Sequence, residues 1–162
     1  MKNIKTILIA VLSFMLLFSV SCKNEDKTGG GEDYSVPTAT GDPATDLTDG
    51  NYTGTLTRTA QVGSPTEDMP TIDGFYLTIT GGSKAESGTL GALANADILK
   101  SGSEYSAYGE SNEEGLITKE YIKFTVSGDN ITITYIVAVS ADGQNYKLTY
   151  EGTLTKDTSA AS

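Results

Sequence analysis

Two segments of the chain nearly repeat each other: Tyr52–Arg58 reads YTGTLTR and Tyr150–Lys156 reads YEGTLTK. The first belongs to a longer alternation in which Thr53, Thr55, Thr57 and Thr59 fall on one side and Tyr52, Gly54 and Leu56 on the other. Period two, carried by residues that suit a pleated surface, is the mark of a half-buried strand. The sequences between the two copies are unlike, so this is no tandem repeat. A chain rich in Thr and Gly also produces short echoes cheaply. Shared circumstance explains the likeness physically: each segment needs an inward aromatic, an inward glycine where the strand bends, an inward leucine and outward threonines. Glycine inside a strand weakens it and marks a bulge or a sharp bend. The expectation is therefore a single small antiparallel β-barrel whose first and last strands pair, with Gly54 and Gly152 in its wall; an open β-sandwich is the alternative. Closure would remove exposed strand edges.

The same period continues outward from these ends. In FYLTITGG, Phe75, Leu77 and Ile79 alternate with Tyr76, Thr78 and Thr80. In the C-terminal third, Ile122, Phe124 and Val126 share a face, then Ile131, Ile133, Tyr135, Val137 and Val139, then Tyr146, Leu148, Tyr150 and Leu154. Ser127–Asn130 and Asp142–Gly143 read as tight turns, the second matching a type I′ hairpin. Between Gly81 and Gly115 the pattern is weak, with short strands or one helical turn near Ala92–Leu99 and a strand at Glu104–Tyr108. No stretch keeps helical periodicity over three turns, so the class is all-β.

Ahead of this domain stands an export segment. Lys2 and Lys5 precede an uncharged, largely apolar run from Thr6 to Val20, shorter than the roughly 20 residues of a membrane span and suited to a signal-peptide core. Cys22, the chain's one cysteine, follows directly and resembles the acylated cysteine of bacterial lipoproteins, although Ser19 and Val20 depart from the usual residues before it. The organisation expected is a signal peptide over 1–21, a lipidated Cys22 with a flexible acidic linker over 22–48, a β domain over 49–157 and a disordered tail over 158–162. The linker is expected to be flexible because it is poor in aliphatic residues. Acyl chains contribute about 0.8 kcal/mol per buried CH₂, so the partner implied is a lipid bilayer. Glu25–Asp26 close behind Cys22 resembles the signal that sends lipoproteins of Bacteroidota-type bacteria to the cell surface, which places the domain on the outer face of the outer membrane, with a periplasm-facing anchor as the alternative.

The opening GNYTGTLT and the terminal NYKLTYEGTL together resemble the calycin-like, lipocalin-like β-barrel domains of small Bacteroidota lipoproteins. The resemblance would span about Asp49 to Lys156 and rests on the two end strands; the lipocalin Gly-x-Trp motif is absent, since the chain has no Trp. It implies a fold and no catalytic residues.

Chemistry is sparse. There is no His, which removes the usual general base and metal ligand. Glu67–Asp68, Asp97, Glu104, Glu110 and Glu113–Glu114 lie in polar stretches where carboxylates are ordinarily solvated, and DPATDLTDGN (Asp42–Asn51) lacks the ligand spacing of an EF-hand. No enzyme activity, cofactor or metal is expected. Once Lys2 and Lys5 leave with the signal, nine basic residues face twenty-one acidic ones, a formal −12, which repels nucleic acid. Tyr52, Tyr135, Tyr146 and Tyr150 fall on inward faces. They either pack the core or line a cavity as polar handles for a small or extracellular ligand; the ligand-binding barrel is the leading expectation, a filled-core interaction protein the alternative.

Overall fold

A computed structural model of the chain describes residues 32–65, 67–87, 90–141 and 143–158. The export segment, Cys22, Asp142 of the expected hairpin turn and the end of the tail lie outside the described residues. The strands are β1 (Asp42–Pro43), β2 (Gly50–Gly63), β3 (Thr71–Thr80), β4 (Lys84–Ser87), β5 (Ala96–Ser101), β6 (Glu104–Glu113), β7 (Leu116–Ser127), β8 (Asn130–Ala141) and β9 (Gln144–Lys156). Each pairing between them is antiparallel.

The two similar segments lie side by side in β2 and β9, with Tyr52 opposite Lys156 and Leu56 opposite Gly152. Their likeness has a steric cause. A Cβ on Gly152 would stand 2.8 Å from Leu56 Cδ2 and 2.6 Å from the Thr55 carbonyl oxygen. A Cβ on Gly54 would stand 3.1 Å from Leu154 Cδ2 and 2.4 Å from the Thr153 carbonyl oxygen. Each glycine makes room for the leucine of the other strand. Running two copies of Gly-Thr-Leu antiparallel produces that exchange.

The continuous closed wall of a calycin-like barrel is not what forms. The strand order is β1-β5-β4-β3-β2-β9-β8-β7-β6, with a further β5–β6 hairpin ladder. From β2 through β9, β8 and β7 to β6 the sheet is broad, with β8 and β9 in register from Asn130 to Ala141. On the other side β4 meets β5 through only Lys84↔Asp97 and Ala85↔Ala96. β3 has no partner but β2 before Leu77, and β6 has no partner but β7 after Ala107. Strands as short as β4 and β5 cannot complete a ladder between ten-residue neighbours. An open antiparallel sheet folded over on itself, closer to the sandwich alternative, therefore replaces the expected barrel.

The inward alternation read from the C-terminal third forms the core. Leu56, Leu77, Ile122, Ile131, Leu148 and Leu154 are wholly buried, and burying each such side chain contributes about 1.5–3 kcal/mol. Val126, expected inward, is half-exposed at the sheet's rim. The packed region begins before Asp49. Ala44 is buried in the core, its amide donates to the Ile98 carbonyl at 2.9 Å, and Leu47 packs against the same cluster.

Candidate functional site

The four inward tyrosines were the first candidates for a ligand site, and the sheet does not bring them around one hollow. Tyr135 on β8 and Tyr150 on β9 are fully buried neighbours, ring centroids 6.1 Å apart, and Phe75 tilts against Tyr135 at 5.0 Å. Their hydroxyls are spent inside the protein: Tyr135 donates to Glu120 Oε1 at 2.5 Å and Tyr150 to the Met69 carbonyl at 2.9 Å. Tyr52 is buried beneath Lys156, whose ammonium lies 5.9 Å from the ring centroid, and Tyr146 is partly buried against the core. Burial pushes the Tyr52, Tyr146 and Tyr150 hydroxyls above their ordinary value, so all three remain neutral at physiological pH. The ligand-lined interior is corrected: aromatic rings and aliphatic side chains fill the space it required.

A surface cleft of about 360 Å³ lies at the rim, bordered by Asp46, Leu47, Tyr105, Val126, Asp129 and Lys156 among others. Of the four tyrosines only Tyr52 borders it. Asp46 accepts from Lys100 and, at 3.1 Å, from the Tyr105 hydroxyl.

Sequence reading missed Glu120. It sits on β7 with no exposure to solvent, accepting from the backbone N–H groups of Ala92 at 2.6 Å, Leu93 at 3.2 Å and Leu90 at 3.3 Å as well as from Tyr135. A buried carboxylate is tolerated only when it is so fully bonded. The segment it holds, 90–95, packs beside the unpaired part of β6: a Cβ on Gly109 would meet the Ala92 carbonyl oxygen at 1.8 Å. Glu120 thus staples the connection that fills the gap in the sheet. Counting back from Phe124 and Ile122 by twos reaches Glu120 on the inward face, and that was the available signal.

Four of the carboxylates weighed for catalysis serve surface ion pairs: Asp68 with Arg58 at 2.6 Å, Asp97 with Lys84 at 2.6 Å, Glu104 with Lys123 at 3.2 Å and Glu110 with Lys119 at 3.8 Å. Asp49 of DPATDLTDGN accepts from the Gly82 amide at 2.7 Å. Among the described residues no three His, Cys, Asp or Glu side chains gather as a metal site would require.

What remains is the outer face. Registers across β2, β9, β8 and β7 align Thr53 with Thr155, Thr153 with Thr132 and Thr132 with Thr125. These side chains are exposed, a hydroxyl-rich surface that also carries the exposed Glu151, opposite Thr57 and Thr134, and Lys123. Met69, Leu90 and Val126 are the exposed large apolar residues among those described. Met69 lies in the β2–β3 loop, whereas nearby Ile72 packs on the core. No family model, curated protein or solved structure matches the chain, so the calycin-like resemblance has no support beyond its two end strands.

Proposed function

We propose that this chain is a non-catalytic, membrane-anchored lipoprotein whose solid β domain works through its outer surface, meeting protein partners rather than enclosing a small molecule. The filled interior carries this reading. With Tyr135 and Tyr150 buried and bonded internally, a ligand entering the core would have to displace packed side chains. The apolar run followed by Cys22 supports acylation and a lipid bilayer as partner, and Glu25–Asp26 supports display on the outer face of the outer membrane. The contact surface this reading favours is the threonine-rich face of β2, β9, β8 and β7, whose exposed hydroxyls offer a partner hydrogen bonds.

Metabolic labelling with an alkynyl fatty acid tests the anchor. The parent chain takes up label and Cys22→Ser does not; equal labelling would overturn the acylation. Surface cross-linking on intact cells tests the face. The pair Thr132→Lys and Thr153→Lys keeps the melting temperature and removes the cross-linked species, and an unchanged cross-linking pattern would refute the assignment.

A further inference from the structure

Outward-facing positions of the sheet are exposed across the threonine face, yet three on the opposite flank are not. Ser106 on β6, Tyr121 on β7 and Ala138 on β8 alternate with core residues and so point outward, but they retain only 6 %, 8 % and 7 % of their exposure. The chain ahead of β2 accounts for this. Asp33 lies 3.9 Å from the Lys147 ammonium on β9, which also donates to the Ser35 carbonyl at 3.1 Å. Tyr34 borders a hollow together with Ile117, Lys119 and Ala138. The Thr40 amide donates to Ser106 Oγ at 3.2 Å, Asp42 and Pro43 pair with β5, and Asp46 reaches Lys100. Residues 33–47 therefore run diagonally over the outside of the sheet as a strap.

We propose that this strap is a releasable reserve of length: pulled from its N-terminal side, it peels away while the sheet stays folded. The inference rests on the anchored reading for its purpose, because Cys22 lies on that side. Its mechanics follow from the contacts. Pulling from the N-terminus meets the strap's attachments one after another: the Lys147 contacts, the Thr40–Ser106 bond, the two-pair β1–β5 ladder, and last the Asp46 contacts with Ala44 and Leu47 packed on the core. The next element, β2, is bonded along both edges, to β3 and to β9, so several pairs must fail together. Fifteen residues extend to about 50 Å at about 3.3–3.6 Å each. Release also bares Ser106 and the surroundings of Ala138.

The experiment is force spectroscopy on the purified full chain with handles at its two ends, which is indifferent to acylation and so separates this proposal from the anchor. A first step of up to about 50 Å, shorter by the distance the attached strap already spans, precedes the main unfolding event. Pro43 and Leu99 face each other across the β1–β5 ladder; with Pro43→Cys and Leu99→Cys joined as a disulfide, the first step shrinks to the residues ahead of position 43, and reduction restores it. A single event of several hundred Å in the parent chain, or a first step unaffected by the disulfide, would overturn the proposal. Fatty-acid labelling that fails while the first step persists would remove the anchor and leave the strap.

Discussion

Replacing Glu120 by alanine should be among the most damaging changes available in this protein. Four donors converge on its carboxylate. Leu90 and Ala92 lie near enough to the surface for water to take over, but Leu93 and Tyr135 are buried. Each donor left unsatisfied costs about 1–3 kcal/mol, so the two buried ones together cost about 2–6 kcal/mol. No longer burying a carboxylate offsets part of that. A net loss of about 3–4 kcal/mol follows, against a total of about 5–15 kcal/mol for a domain of this kind. With a urea dependence of about 2 kcal/mol per molar, the midpoint falls by about 1.5–2 M. Because the chain has no Trp, the transition is followed by tyrosine fluorescence and far-ultraviolet circular dichroism together. Glu120→Gln keeps one acceptor oxygen and loses about 1–2 kcal/mol. Tyr135→Phe removes one donor and loses about 1 kcal/mol, and the double variant falls short of the sum because the two groups are bonded to each other. An alanine variant unfolding within about 0.5 kcal/mol of the parent, at unchanged slope, would refute the role given to Glu120.

Tyr135→Ala empties the middle of the core and destabilises by about 3–5 kcal/mol, as denaturant titration would read. Gly109→Ala drives a methyl into the Ala92 carbonyl, 1.8 Å away, so crystallography or hydrogen exchange should find 90–95 displaced. Strap attachment follows acid titration with a definite sign. The hydrogen bond from Lys100 holds the Asp46 carboxyl below its ordinary 3.8, and bonding from Ser35, with Lys147 nearby, lowers that of Asp33. Groups depressed in the attached state favour attachment above 3.8 and lose that contribution as pH falls through the lowered value. Hydrogen exchange at Thr40 and Ala44, corrected for intrinsic rates, is therefore the same at pH 6 and pH 5 and accelerates only below about pH 3.8.

The C-terminal meander was legible because each face repeats strictly: Ile131, Ile133 and Tyr135 are buried where alternation puts them, and Gly128 turns the chain between β7 and β8 with φ +60°. The centre was not. β4 and β5 are too short to show a period, and the connection between them owes its place to Glu120, far along the chain. Patterning reports which residues face inward; it does not report how many residue pairs join two strands, so it could not distinguish a complete wall from one held by two pairs at β4–β5. Cavity and packing are equally indistinct in a sequence, because a tyrosine that lines a pocket and one that fills it occupy the same alternating position. The strap was invisible for another reason. Its hold depends on backbone bonds and lysine contacts, and only Ala44 and Leu47 supply apolar burial.

The seam between β2 and β9 is made of near-identical words read in opposite directions, and such a match has a local twofold axis. A segment whose complement is almost a copy of itself is also complementary to its own twin. Peptides spanning Tyr150–Lys156 can place glycine under leucine against one another just as they do against Tyr52–Arg58. While β2 has yet to find β9, neighbouring molecules offer the same docking edge, so crowding before folding favours dimers joined at this seam.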